Sequence, residues 1–378
     1  MKKIVLWGAG KLGKYLLKSP SKLYDVVGVI DNEADVLETV TDGKNIIPVW
    51  LPTEFASFGS EEIYGVLIAV LNDFAVADIM KQMREMGVRR AGVIRKNPSF
   101  DESNWDNIVW LDLDKQSFLP YLEVGISDVC NLKCKGCTHF ANLFTPENDQ
   151  GESVEELEEE LKLLSEHVFI KRLRILGGEP FLNPKIEEYL QMSRRMLPDT
   201  EIRVVTNGLL LLNSSASIYE SLRKNGIGLD ITAYPPVIKK KEAIIQCLEQ
   251  NGVDFKFTEE VHQFYRMLTK EPQNHPEKSY KNCNMSVCKM LRHGKIYRCP
   301  MEGMLYKYIE HYNLDNFILY EKEQGVDFLE KKIDWKNLYQ LLEGPMNLCR
   351  HCNENGGELF DWEVSANPKK EEWLISGK

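Results

Sequence analysis

Cys130-Asn-Leu-Lys-Cys134-Lys-Gly-Cys137 is the stretch on which the reading turns, a C-x3-C-x2-C triplet placed directly after the strand-like run Tyr121 to Ser127. Three thiolates this close can hold three corners of a 4Fe-4S cube and leave the fourth iron without a protein ligand. An open iron is a place for chemistry. Zinc is the alternative, since a fourth ligand is available in His139.

Working outward, the triplet sits inside a βα series. YLEVGIS, RLRIL, EIRVVT, GLDIT and VDFKF read as strands, and Ser153 to His167, Pro184 to Met196, Ala216 to Asn225 and Lys239 to Asn251 read as helices. Strands alternating with helices over short connections imply a parallel sheet that curls into an open barrel. The triplet then lies at the carboxyl end of the first strand. The next strand ends in Gly177-Gly178-Glu179-Pro180, the third in Thr206-Asn207-Gly208 and the fourth in Thr232-Ala-Tyr234-Pro235. Small polar residues and glycine at successive strand ends form one rim, which is where parallel α/β proteins bind ligands. The two glycines let a ligand approach the backbone, and a carboxylate beside them suits an ammonium group.

The triplet followed one βα unit later by GGEP resembles the radical S-adenosylmethionine (SAM) enzymes over residues 119–260. The resemblance implies an α/β fold with a partial (β/α)6 barrel, a 4Fe-4S cluster on Cys130, Cys134 and Cys137, and SAM chelated to the open iron. One electron from the cluster would cleave SAM to a 5'-deoxyadenosyl radical that takes hydrogen from an unactivated C–H bond. Gly177, Gly178 and Glu179 would hold the SAM amino group, Pro180 would complete that cofactor-binding turn, and Thr206, Asn207 and Thr232 would lie near the ribose and carboxylate. The position before the third cysteine is usually aromatic in this family and is Gly136 here, so Phe140 or His139 is expected to meet the adenine.

The chain has nine cysteines, an odd count that makes structural disulfides poor candidates. Cys283, Gly294 and Cys299, followed after a helical insert by Cys349-x2-Cys352, bring four soft ligands together through a glycine-turned hairpin and a knuckle. Four cysteines also suit zinc. Beside a radical SAM core the spacing is similar to the SPASM and twitch modules, and implies a second, auxiliary 4Fe-4S cluster in a Cys-rich domain over residues 261–378. Cys247 reads as a core thiol. Cys288 could replace Cys283 as a ligand or donate a hydrogen atom to a substrate radical.

Residues 1–98 read as a separate Rossmann-like α/β unit, joined by a linker over 99–118 that begins near Asn97-Pro98 and carries Trp105 and Trp110. Gly8-Ala-Gly10-Lys-Leu-Gly13 follows the strand KIVLW and opens a helix, and Asp31 ends the next strand. That is the context a dinucleotide fingerprint requires. The unit is similar to the half-Rossmann domains attached to sugar-modifying enzymes, which implies a bound nucleotide or nucleotide-sugar; a purely structural or oligomerising domain is the other reading.

The formal charge of -10 and the lack of a basic stretch argue against nucleic acid. Much of the acidity lies between Glu152 and Glu160, where Val154, Leu157, Leu161, Leu164 and Val168 recur at helical spacing, so the glutamates are expected on a solvated face. No apolar run is long enough for a membrane span, the N-terminus runs straight into a strand, and the expected location is the cytoplasm.

Together these features predict a radical SAM enzyme that abstracts hydrogen from a carbinol C–H of a sugar, cyclitol or nucleotide-sugar, with oxidation or epimerisation as the outcome. Flavodoxin or ferredoxin would supply electrons. Tyr234 and His139 are the candidate bases and Cys288 the candidate hydrogen donor. The alternatives are a ribosomal-peptide-modifying enzyme and a non-catalytic iron-sulfur or zinc protein.

Overall fold

The computed structural model describes residues 1–34, 40–58, 63–95, 100, 104–314, 325–329 and 332–376. The first sheet has six strands, in the order Val49–Trp50, Tyr24–Ile30, Lys2–Trp7, Gly65–Ile68, Arg90–Ile94 and Ile108–Asp112. The first five run parallel, because the helices Lys11–Lys18 and Asp73–Glu85 carry the chain back across the sheet. The sixth is a departure from the expected linker. Ile108–Asp112 pairs antiparallel with Arg90–Ile94, and Trp105 is buried with its indole N–H on the Ser19 carbonyl at 3.1 Å. This segment therefore belongs to the N-terminal unit; Asn97 and Pro98 lie outside the described residues.

The five strands expected of the barrel all form, as Leu122–Gly125, Arg172–Leu176, Glu201–Thr206, Gly228–Ala233 and Phe255–Glu260, parallel and in sequence order. Their two faces differ sharply. Leu122, Val124, Leu173, Ile175, Ile202, Val204, Leu229 and Ile231 share one apolar core with Leu157, Leu161, Leu164, Leu190 and Leu248 of the covering helices. Alternation then turns Glu123, Arg174 and Arg203 to the inside. There Arg174 pairs with Asp230 at 3.0 Å and Arg203 pairs with the same carboxylate, so the interior charges are matched where water is scarce.

The sheet is extended from its first strand by the C-terminal region. Met290–Arg292 pairs parallel with Leu122–Gly125, turns at His293 and Gly294, both with positive φ, and returns as Lys295–Tyr297. The expected glycine hairpin is thus present, and it completes the barrel sheet. Its turn explains a second departure. Glu152 and Glu160 are buried, not solvated: Glu152 accepts from the His293 N–H at 2.8 Å, and Glu160 accepts from the Gly294 N–H. Glu155 and Glu159 do face solvent. Amphipathic spacing separates an apolar stripe from the remainder but cannot say that the remainder meets another polar surface. A second apolar core, with Phe140, Phe144, Met267, Met304, Tyr308 and Trp373, ties the C-terminal region to the loop after the first cysteines. Among the described residues no helix is long and apolar enough to cross a membrane.

Candidate active site

The loops at the carboxyl ends of the barrel strands surround one cavity of about 210 Å³. Cys130, Cys134 and Cys137 line it from the first loop, and Gly177 and Gly178 from the second. Thr206, Asn207, Thr232 and Tyr234 complete the rim, with His139 beside the thiols. Burial pushes the Cys130 thiol up to about 11, against the opposing Leu132 N–H, and raises Cys134 and Cys137 as well. Bound metal reverses that, since a thiolate ligand gives up its proton on coordination. Among the described residues no three His, Cys, Asp or Glu side chains converge on one metal-ion position. A cube asks for something different, one thiolate on each of three irons, and the three cysteines surround a common space.

Glycine serves the loops more than the sequence suggests. A Cβ on Gly177 would stand 1.9 Å from the Ser127 carbonyl oxygen, and one on Gly178 would stand 2.2 Å from that of Val129. The missing side chains therefore let the second loop lie directly on the first, where the Gly178 N–H donates to Ser127 at 2.6 Å. Glu179 departs from expectation. It is fully buried, and its carboxylate accepts from the Thr206 hydroxyl at 2.7 Å, the Asn207 N–H at 2.9 Å and the Phe181 N–H at 3.2 Å. It braces two rim loops, with Pro180 starting the short turn that follows. Gly177 and Gly178, not Glu179, line the cavity itself.

Phe140 is also placed elsewhere. Its ring is buried against Tyr308 and Trp373, at centroid distances of 5.5 and 5.4 Å, and does not line the cavity. The aromatic neighbours of the cavity come from further along the chain. Phe264 lines it, and Tyr234 stacks on Trp362 at 6.0 Å with 22° between planes. Position 136 has φ +62°, and a Cβ there would meet Phe360 Cζ at 2.8 Å, so the C-terminal segment fills the space an aromatic would take. No spacing rule links residues so distant in sequence.

Of the two other candidate residues, His139 lines the cavity with its Nε2 3.9 Å from Glu123 Oε2, and burial holds its imidazole below the ordinary range. Glu123 was missed in sequence because it sits mid-strand in an otherwise apolar run. It is buried, accepts from the Tyr121 hydroxyl at 2.7 Å, and faces the Cys288 thiol. The charges of Cys283, Cys299 and Cys349 all act on Cys352, and Cys288 is acted on by Glu123 as well as by Cys299 and Cys283, so both Cys283 and Cys288 stand beside this second set. Cys247 is half-buried, 3.4 Å from the Tyr219 hydroxyl.

Residues 124–249 match the sequence model of the Radical SAM superfamily. The chain carries a radical SAM domain. The cofactors of that domain are a 4Fe-4S cluster and S-adenosylmethionine. A GTP 3',8-cyclase of Alkaliphilus oremlandii is 28% identical over 140 residues, 34% of this chain and 43% of that protein. Another from Microcystis aeruginosa is 31% identical over 121 residues, 30% and 35% of the two chains. The chain thus spans less than half the length of these curated relatives. Among solved structures, BtrN in complex with AdoMet and 2-DOIA aligns over 69% of this chain and 100% of its own, at 13% identity and a TM-score of 0.37. Streptococcus suis SuiB bound to precursor peptide SuiA aligns over 38% and 34%, at 19% identity and a TM-score of 0.30.

In the N-terminal unit, Gly8 has φ +116°, and a Cβ on Gly13 would stand 1.9 Å from the Gly8 carbonyl, so strand, turn and helix are packed as the glycine spacing predicts. Gly10 faces open space. Asp31 is engaged by the loop itself, accepting from the Ala9 N–H at 2.8 Å and the Glu33 N–H at 3.0 Å.

Proposed function

We propose that the radical SAM domain acts on a carbinol C–H of a polar small molecule, a sugar, cyclitol or nucleotide-linked sugar, and oxidises the alcohol to a carbonyl. When bound at Cys130, Cys134 and Cys137, the cluster and SAM supply a hydrogen-abstracting radical. Cys283, Cys299, Cys349 and Cys352 would hold an auxiliary cluster, which would supply a one-electron acceptor. A flavodoxin- or ferredoxin-type protein would serve as external reductant.

The position of Glu123 carries this reading. It lies between His139 on the cavity wall and Cys288 beside the second cysteine set. Alcohol oxidation must dispose of a hydroxyl proton as well as a hydrogen atom and an electron, and a buried carboxylate next to a neutral imidazole is suited to accept it. His139 lines the cavity with its Nε2 3.9 Å from Glu123 Oε2, so a proton taken from a hydroxyl in the cavity can be shared between the two. Tyr234 is held by its stack on Trp362 and is left as a packing and cofactor-facing residue.

The second outcome is epimerisation, for which Cys288, on the far side of Glu123 from His139, would be the thiol that returns a hydrogen atom. The relatives named GTP 3',8-cyclase suggest nucleotide rearrangement as a further substrate class. The glycine loop Gly8–Gly13 is the place for a nucleotide in the N-terminal unit, with Gly10 open to it.

The test is direct. Anaerobically reconstituted protein should hold about eight irons and, with reductant, convert SAM to 5'-deoxyadenosine. Products from a panel of nucleotide-sugars and cyclitols are then weighed: loss of two hydrogens means oxidation, and unchanged mass means epimerisation or rearrangement. Zinc in place of iron, with no SAM cleavage, overturns the reading.

A further inference from the structure

We propose that the indole N–H of Trp362 sets the reduction potential of the cluster held by Cys130, Cys134 and Cys137, holding it higher than the three thiolates alone would. The proposal rests on the assignment of a 4Fe-4S cluster to that site. Trp362 Nε1 lies 3.2 Å from Cys134 Sγ. An indole nitrogen is a donor only, so the bond has one direction, N–H towards sulfur.

The ring is fixed from both sides. Before it, Glu358–Asp361 pairs antiparallel with Gln263–Arg266, and the Trp362 N–H of the backbone donates to the His262 carbonyl at 2.8 Å. After it, the chain pairs with the cysteine loop itself: Lys135 N–H donates to the Glu363 carbonyl at 2.9 Å, and Ser365 N–H donates to that of Lys133 at 2.9 Å. Val364 stands opposite Cys134 in this short antiparallel bridge. The face of the indole stacks on Tyr234, which caps the end of the fourth barrel strand. Backbone pairing and stacking leave the N–H aimed at one sulfur.

Reduction adds one electron to the cluster from an external one-electron donor, with no bond made or broken and no proton moved. Part of the added charge falls on the cysteine sulfurs. A hydrogen bond to such a sulfur therefore favours the reduced state and raises the potential. Cys134 is buried, so the bond acts in a medium that screens little. A second indole makes the comparison possible. Trp373 Nε1 donates to the Cys137 backbone carbonyl at 2.8 Å, so it binds the same loop without touching a sulfur.

Trp362→Phe keeps a six-membered ring against Tyr234 and removes the N–H together with the five-membered ring that carries it. In anaerobically reconstituted full-length protein, titrated with a viologen-mediated reductant and followed by EPR, the reduced-to-oxidised ratio of the first cluster at fixed potential should fall about tenfold. That is a shift of about 59 mV to lower potential for one electron. The auxiliary step should stay in place, and Trp373→Phe should move neither. A second measurement needs no truncated side chain. Protein labelled with 5-fluorotryptophan carries a more acidic indole N–H, so its first-cluster potential should rise, and the rise should vanish in the labelled Trp362→Phe variant. If Trp362→Phe fails to take up iron, the labelled wild-type chain decides alone. Full iron with an unmoved first step overturns the proposal and leaves the cluster assignment standing. Zinc without iron overturns both.

Discussion

Glu160→Gln tests whether the acidic helix Val154–His167 carries part of its charge inside the protein. On a solvated face the change would move stability by less than about 0.5 kcal/mol at every pH. In the structure the two carboxyls are buried and face each other under the hairpin turn, with His293 and Gly294 N–H groups donating to them. Burial, and after it the charge of Glu160, holds Glu152 well above the usual carboxylate range; burial raises Glu160 too. Carboxyls raised in the folded state contribute stability that is fully present below their ordinary value of 4.5 and lost as pH rises through the folded values. Each pH unit over which the folded pair keeps a proton that the unfolded chain has released costs about 1.4 kcal/mol of stability. Gln keeps an acceptor for Gly294 and offers Glu152 an N–H in place of the shared proton. The variant should therefore match wild type near pH 4.5 and become the more stable protein above it, the gap opening at up to about 1.4 kcal/mol per unit. Glu160→Ala strips the acceptor from Gly294 and should cost about 1–3 kcal/mol throughout. Urea unfolding followed by circular dichroism between pH 4.5 and 8 reads both. Parallel pH slopes for wild type and Glu160→Gln would refute the buried pair.

Arg292→Ala should destabilise by about 3–5 kcal/mol, because it leaves Asp128 charged and buried after losing a bidentate partner at 2.7 and 3.0 Å, and thermal unfolding measures it. Since Asp128 opens the cysteine loop, iron at the first site should fall with it. Gly136→Phe, which restores the aromatic usual before the third cysteine, should lower stability by about 1–3 kcal/mol through its positive φ and the Phe360 ring 2.8 Å from the new Cβ; a melting curve at or above wild type would contradict this. Glu123→Gln should slow product formation about 10²–10⁴-fold while SAM cleavage without substrate continues. Cys349→Ala should halve the iron content of the reconstituted protein and leave SAM cleavage intact.

The barrel and its rim were legible because they are local. Five runs with β-branched and apolar residues, the second, third and fourth ending in glycine or small polar residues, give the parallel strands in the right order. Cys130, Cys134 and Cys137 were legible because spacing alone keeps them on one loop. Glu123 was hidden, since one carboxylate inside YLEVGIS has no periodicity to mark it, and its partners His139 and Cys288 arrive from other segments. Glu179 stands where the sequence places it, but its bonds from Thr206 and Asn207 come from another strand end, and no local spacing announces them. Phe140 was given to the adenine by proximity in sequence, but its left-handed backbone sends the ring into the second core. Ile108–Asp112 read as linker because its flanks are polar, and only the free edge of the first sheet makes it a strand.

The pairing of residues 363–365 with the cysteine loop also bears on how the protein is made. Lys133 to Lys135 find their backbone partners more than two hundred residues later in the chain, and Cys137 receives its Trp373 hydrogen bond later still. During synthesis the barrel strands leave the ribosome first. The loop they carry then waits, unpaired, until the last segment emerges. Assembly of the first cluster in its finished setting therefore belongs to the released chain, and a ribosome-bound chain stalled before Glu358 should hold iron loosely if at all.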